Sequence, residues 1–413
     1  MGTRIFRDTS TLNLDPKNSA SRLSALIAKG PADFQLLLVV IIFVVFGLLM
    51  VFSASWDYSL IWYDDAMYQF YRQVLWMAIG IIGATVISFL DYHTWRTFSI
   101  GAMIFTIIML ILVLFGKQTS RTVFQGSIQP SELAKVVSVI YLSVWMHSKR
   151  DQIHDIQWGI IPLGVIIGFI CGLIFLQPDN SAALTVFMLG GLIFFLGGGD
   201  MKQIITLLIL AIFVVAVMVN VSSTGQSRIL EFINGLKDLT KASDHVTFSY
   251  RAIINGGWFG VGIGLATTKL IGLPFAPTDS IFAVIAEELG LVGAAFTVVL
   301  YGILVWRGIR IAFKAPDMLG SLLAGGLTLW IGAEALINIL VMVGLLPFAG
   351  NALPFISYGG SSLLSTFLAI GILQSVARQI QPQAQNEEWR SLGASIDLRG
   401  RNRRRSLSRT SRP

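Results

Sequence analysis

Residues 159–198 read GIIPLGVIIGFICGLIFLQPDNSAALTVFMLGGLIFFLGG, and Asp179 is the one charged side chain among them. Two apolar runs, 159–176 and 182–198, flank a tight turn at QPDNS. A run of roughly 20 apolar residues is what a helix needs to cross a bilayer. Inside hydrocarbon the backbone must satisfy its own hydrogen bonds, and a helix does that within one segment. The stretch therefore reads as a helical hairpin in a membrane.

Comparable runs recur on both sides of it, at about 34–54, 73–90, 98–115, 132–147, 203–221, 281–305, 320–344 and 360–378. The expectation is an all-α, polytopic membrane protein with about ten transmembrane helices. Composition agrees. The 413 residues are 54% hydrophobic and 13% charged, against about a quarter charged in a soluble domain, and the mean hydropathy is +0.72. Residues 1–33 form a polar, basic N-terminal segment, and the first apolar run is long enough to stay in the membrane rather than act as a cleaved leader. The single cysteine, Cys171, lies in an apolar run, so no disulfide framework is expected. The four histidines (His93, His147, His154, His245) are scattered without metal-ligand spacing.

Lysine and arginine set the orientation. With the N-terminus in the cytoplasm, the basic residues before span one, Lys149, Arg150, Lys202, Arg307, Arg310, Lys314 and the arginine-rich C-terminal end all fall inside. Both termini are expected to be cytoplasmic. Residues 381–413 read as a basic, disordered tail, and 34–380 as one membrane domain. The long connection 222–280 then lies outside. It carries an amphipathic stretch, SRILEFINGLKDL, with Ile229, Phe232, Ile233 and Leu236 at helical spacing. A glycine-rich segment with aromatic residues follows. An ordered platform against the membrane is expected there.

Ionisable groups at membrane depth are functional candidates by default. Asp279 stands at the outer mouth of span eight, and Glu287 and Glu288 lie about 12 Å deeper at 1.5 Å per residue. Glu132 and Lys135 share a helical face, as do Glu334 and Asn338. Lys269, Arg251 and Arg121 occupy outer loops, and Asp179 a short turn. Each has a structural alternative. Asp279 in PTDS suits an N-cap, Glu132 and Lys135 an intrahelical pair, and Glu287 and Glu288 a polar network that holds the bundle. The glycine sets have no βαβ context, which disfavours nucleotide binding. An outer carboxylate near cations suits a general base acting on a lipid-linked sugar, with cations steadying a departing pyrophosphate. It equally suits a transport path.

The stretch Lys269–Gly290, KLIGLPFAPTDSIFAVIAEELG, resembles the shape, elongation, division and sporulation (FtsW/RodA/SpoVE) family, whose usual pattern there is K-x-x-x-L-P-E-x-H-T-D-F-I-F-A-x-x-x-E-E-L-G. SIQPSELAK (Ser127–Lys135), QPD (Gln177–Asp179), SYRAIINGGWFGVGIGL and GLLPFAGNALPFISYGGSSLL (Gly344–Leu364) continue the likeness in order over roughly residues 34–380. The resemblance implies a peptidoglycan glycosyltransferase that polymerises lipid II on the outer face of the bacterial cytoplasmic membrane. Asp279 would be its catalytic base, deprotonating the acceptor hydroxyl for an inverting attack. Lys269, Arg121 and Arg251 would be candidate substrate contacts, and Ser357, Tyr358, Gly359, Gly360 and Ser361 would shape the outer cavity. Partners would be lipid II, a class B penicillin-binding protein and other division or elongation membrane proteins, with no nucleic acid. No energy cofactor is implied, although Mg or Mn beside the pyrophosphate is chemically compatible.

The departures cluster near the site. Phe275 stands for Glu, Pro277 for His, Ser280 for Phe, Thr122 for Trp, and Asn180, Ser181 and Ala182 for L-G-T. Glu334 and Phe248 each replace Gln. A lipid-linked sugar flippase and an inactive scaffold for the crosslinking partner are the competing readings. Short cytoplasmic loops without a matching acidic or glycine-rich cluster disfavour the flippase.

Overall fold

The computed structural model describes residues 30–115 and 129–397, apart from 154, 156 and 158. Among the described residues the regular elements are helices, with no strand. Helix α1 (Phe34–Tyr63) opens on Asp33, whose carboxylate accepts from the Leu36 amide at 2.9 Å. It runs nine residues past the expected end at 54, to Asp64 in the left-handed region at φ 53°. That last part carries Trp56, Tyr58, Trp62 and Tyr63, residue types that favour the membrane–water boundary.

Helices α2 (Tyr68–Phe89), α3 (Trp95–Phe115), α4 (Pro130–Ser148), α5 (Ile160–Phe175), α6 (Asn180–Leu196) and α7 (Met201–Val221) follow. The long outer connection folds into α8 (Ser223–Lys237), α9 (Asp244–Gly256) and the short α10 (Thr268–Ile271). Then come α11 (Ile281–Glu288), α12 (Gly290–Lys314), α13 (Met318–Met342) and α14 (Gly360–Asp397). Among the described residues, seven helical stretches are long and apolar enough to cross a membrane: α1, α2, α3, α7, α12, α13 and residues 360–380 of α14. The two arms of the opening hairpin, α5 and α6, are shorter apolar helices of 16 and 17 residues.

The core lies where α4, α6, α13 and α14 meet, with α2 along α14 and α12 along α13. Val136, Val139, Ile140, Leu189, Ile193, Leu323, Leu327, Ile331 and Leu373 are fully or almost fully buried there. Helix α7 is different: its apolar surface is exposed nearly all round. A helix apolar on every face belongs in lipid.

The bundle has two polar ends. At one, Arg307 pairs with Asp33 at 2.7 Å, Arg378 donates to the Gly30 carbonyl at 3.0 Å, and Asp317 receives His93 and Arg96. The other end holds the outer connection and the segment 343–359.

One expectation is corrected. The run 281–305 is not one span, because the chain breaks at Gly290 with φ +69°. The amides of Val261 and Gly262 donate to the carbonyls of Glu287 and Glu288 at 3.0 Å each, and the amide of Leu291 donates to Gly257 O at 2.9 Å. A Cβ at Gly290 would lie 2.4 Å from the Gly260 nitrogen. The glycine-rich loop thus docks into the break, leaving α11 a separate, wholly buried helix. Helix α14 is assigned through residue 397, and Gln, Ala, Glu and Arg in 381–397 carry good helix propensity.

Candidate active site

Asp279 sits half-buried in a tight loop between α10 and α11, at the end of the bundle that holds residues 222–280. The loop turns at Phe275, whose φ of +47° is unusual for a residue with a Cβ. Its carbonyl accepts from the Thr278 amide at 2.9 Å and the Thr278 hydroxyl at 3.1 Å. The N-cap of α11 is Ser280, so the capping alternative for Asp279 does not describe this loop.

Three further elements clamp it. The Ser357 hydroxyl donates to Thr278 O at 2.6 Å, and the Tyr358 amide donates to Pro277 O at 2.8 Å. Asn338 on α13 donates to Asp279 O at 2.8 Å and to Asn351 O at 2.6 Å. Gln73 on α2 holds the clamp, donating to Ser357 O at 3.1 Å and accepting from the Gly359 amide at 3.3 Å. Gly360 sits so close to Trp76 that a Cβ would lie 2.6 Å from the indole nitrogen. Ser361 lies in the first turn of α14. The Asp279 side chain borders a narrow recess, too small to admit a water molecule, with Asn338, Met342, Phe348, Gly350 and Asn351.

The recess has a much larger neighbour. A cavity of about 600 Å³ opens between α5, α6 and α7, and its lining is almost wholly aliphatic and aromatic. It shares Ile337, Ala349 and Asn351 with the recess. Asp279 therefore packs against residues that also line an apolar groove in the bundle wall.

Two residues that the sequence reading did not single out lie here. His245 Nδ1 is 2.8 Å from Ser280 Oγ. The Ser280 hydroxyl donates its one proton to Pro274 O at 2.9 Å, so it accepts from Nδ1–H and leaves Nε2 as an acceptor. The imidazole stacks on Phe348 at 3.8 Å and faces Phe275 at 6.2 Å. Burial and then the nearby Arg228 charge push its pKa down to about 4. Arg228, on α8, places its guanidinium 5.1 Å from the Phe348 ring centre. The one signal for Arg228 was its position in the amphipathic stretch of the outer connection.

The remaining candidates fall into separate groups. Lys269 is buried against α1: it donates to Ser53 O at 2.8 Å and pairs with Glu288 at 3.2 Å, with Asp57 at 3.9 Å. Glu288 also accepts from the Ser53 hydroxyl at 2.6 Å. Glu287 accepts from the Thr267 amide at 3.1 Å, from the Thr268 amide and hydroxyl, and from Asn255 at 3.4 Å. Lys135 bridges Glu132 at 2.8 Å and Glu334 of α13, inside the bundle. Asp179 caps α6 and accepts from Gln129 at 2.7 Å and Ser131 at 2.8 Å, tying α4 to α6. Arg251 is exposed, 5.1 Å over Phe248. Arg121 lies outside the described residues. Among the described residues no three His, Cys, Asp or Glu side chains gather as a metal set.

The family model described as "Cell cycle protein" (FtsW, RodA, SpoVE) matches residues 34–381. The chain belongs to that family. Among curated relatives, a "Probable peptidoglycan glycosyltransferase FtsW" of Geobacter sp. (strain M18) is 33% identical over 360 residues, covering 85% of this chain and 98% of the relative. The "Stage V sporulation protein E" of Bacillus subtilis (strain 168) is also 33% identical, over 359 residues, with the same coverage. Among solved structures, a RodA rod shape determining protein of Thermus thermophilus aligns with TM-score 0.62 at 22% identity, covering 85% of this chain and 98% of that one. A chain from a "peptidoglycan synthase complex" that coordinates "polymerization and crosslinking" aligns with TM-score 0.68 at 25% identity and the same coverage. Membership, with the long apolar helices, places the protein in the bacterial inner membrane as a multi-pass protein.

Against the FtsW/RodA/SpoVE pattern, the departures acquire physical meaning. Phe275 supplies a ring to His245, and Ser280 supplies the hydroxyl that holds that imidazole. An aromatic and a polar residue stand in exchanged places around Asp279, with an imidazole brought in from α9.

Proposed function

We propose that this chain is a peptidoglycan glycosyltransferase that polymerises lipid II into glycan strands at the outer face of the inner membrane, for division or cell-shape elongation. The observation that carries the reading is that Asp279 packs beside Ile337, Ala349 and Asn351, residues that also line the 600 Å³ apolar cavity. A substrate with a long hydrocarbon chain and a polar, activated sugar needs a carboxylate beside an apolar groove.

The chemistry follows from the carboxylate. Asp279 takes the proton from an acceptor sugar hydroxyl as that oxygen bonds to the anomeric carbon of a donor. The bond from that carbon to the pyrophosphate breaks, and its electron pair leaves with the lipid pyrophosphate. Attack from the face opposite the leaving group inverts the centre. The clamp from Ser357, Tyr358 and Asn338 fixes the Asp279 backbone, and a positioned base is worth more than a mobile one. The relative within a peptidoglycan synthase complex supports pairing with a class B penicillin-binding protein that crosslinks the product.

The test is polymerisation of purified lipid II by the full chain with its partner. Glycan from wild type and none from Asp279→Asn supports the reading. Equal yields from the two proteins would overturn it.

A further inference from the structure

A departing pyrophosphate needs a cation, and several lie at this end of the bundle, among them Arg72, which donates to the Tyr68 hydroxyl at 3.0 Å. Lys269 is 3% exposed at its side chain and committed to Glu288 and Ser53. Arg251 is exposed over Phe248, and Lys241 lies 3.8 Å from Asp238 on the outer surface.

Arg228 is placed differently. Its guanidinium lies over Phe348, and Phe348 walls the Asp279 recess. Arg228 also lines a mouth of about 150 Å³ with Asn180, Ser181, Val219, Phe348 and Ala349. That mouth shares Ser181, Leu184 and Ala349 with the apolar cavity, and it shares Phe348 and Ala349 with the recess. The apolar groove and an opening lined by a cation therefore meet at Ala349, beside the Asp279 carboxylate. The amide of Asn180 and the hydroxyl of Ser181 are the uncharged polar side chains of that opening.

We infer that Arg228 binds the pyrophosphate of the lipid substrate at the outer mouth of the apolar groove, with its guanidinium held in plane by Phe348. The inference rests on the proposed function and names a substrate contact within it. An arginine fork matches phosphate oxygens two at a time, and a guanidinium tolerates stacking on an aromatic face better than an ammonium does. With the chain in the groove and the head at Arg228, the anomeric carbon is carried to the same wall as Asp279. Helix α8 then acts as the platform that presents the cation.

The experiment measures binding to the full-length protein in nanodiscs, with three probes: a polyprenyl pyrophosphate, the neutral polyprenol of equal length, and free inorganic pyrophosphate. Wild type is expected to prefer the lipid pyrophosphate over both other probes. Arg228→Gln is expected to lose that preference by roughly ten- to a hundredfold, the range for a hydrogen bond to a charged group, with Arg228→Lys in between. Asp279→Asn is expected to keep it. Undiminished preference in Arg228→Gln would contradict the assignment. Binding of free pyrophosphate as tight as the lipid form would also contradict it, since the groove would then contribute nothing. Failure of the glycosyltransferase reading looks different: lipid II yields no glycan, while the Arg228-dependent preference persists.

Discussion

Asn338 donates one amide proton to the carbonyl oxygen of Asp279 at 2.8 Å and the other to Asn351 O at 2.6 Å. One side chain on a core helix thus pins both walls of the recess. Asn338→Leu keeps the volume and removes both bonds, leaving two carbonyls short of a donor, at about 1–3 kcal/mol each if they stay dry. The expected result is a folded protein with at least tenfold lower glycan yield and a lower melting temperature. Unchanged yield would show that Asp279 does not depend on this clamp.

Lys135 sits between Glu132 and Glu334 with its side chain 5% exposed. Removing one partner of a buried ion pair leaves uncompensated charge and costs about 3–5 kcal/mol. Lys135→Met is expected to lower thermal stability in detergent sharply. The double variant with Glu334→Gln is expected to recover part of the loss, read as a positive coupling in a double-mutant cycle.

His245 provides a pH signature. Its folded pKa, about 4, lies below the ordinary 6.5, so the folded protein resists taking up a proton that the unfolded chain accepts. Its contribution to stability is complete above pH 6.5 and is lost as pH falls toward 4. Comparing melting temperatures at pH 7.5 and 5.0, wild type is expected to lose more than His245→Asn, which keeps a donor for Ser280 but has no proton to gain. Identical pH slopes would show that His245 does not contribute.

Gly290 tests the docking of the glycine-rich loop. Gly290→Ala meets the Gly260 nitrogen and the Trp258 carbonyl at 2.4–2.5 Å, from a backbone at φ +69°. It is expected to disrupt the outer connection and abolish activity. Gly302→Ala is the control: nothing lies within 4 Å of its Cβ, and mid-helix alanine is better than glycine by about 1 kcal/mol. Limited proteolysis of the 222–280 region distinguishes the two.

Much of the fold was legible because apolar run length and glycine content speak directly of helices in lipid. The hairpin 159–198 and the helix in SRILEFINGLKDL both appear where the pattern puts them. The break at Gly290 was not legible, since AEELG continues an apolar run and only the docking of Trp258–Gly262 shows why it stops. Within the site, Asp279 and the Ser357–Tyr358 loop were found by motif. Pairings across long stretches of chain were not, such as Lys135 with Glu334 199 residues away. Arg228 and His245 were missed for a related reason. Periodicity assigns a residue to a helix face, but it does not say which loop that face meets.

The measurement that bears most directly on the central claim is glycan synthesis from purified lipid II by wild type and Asp279→Asn, each reconstituted with the crosslinking partner. Partner capture is measured in the same samples. Long glycan strands are expected from wild type, none from the variant, and equal partner capture by both. Strands from the variant at the wild-type rate, or none from either protein with the partner bound, would contradict it.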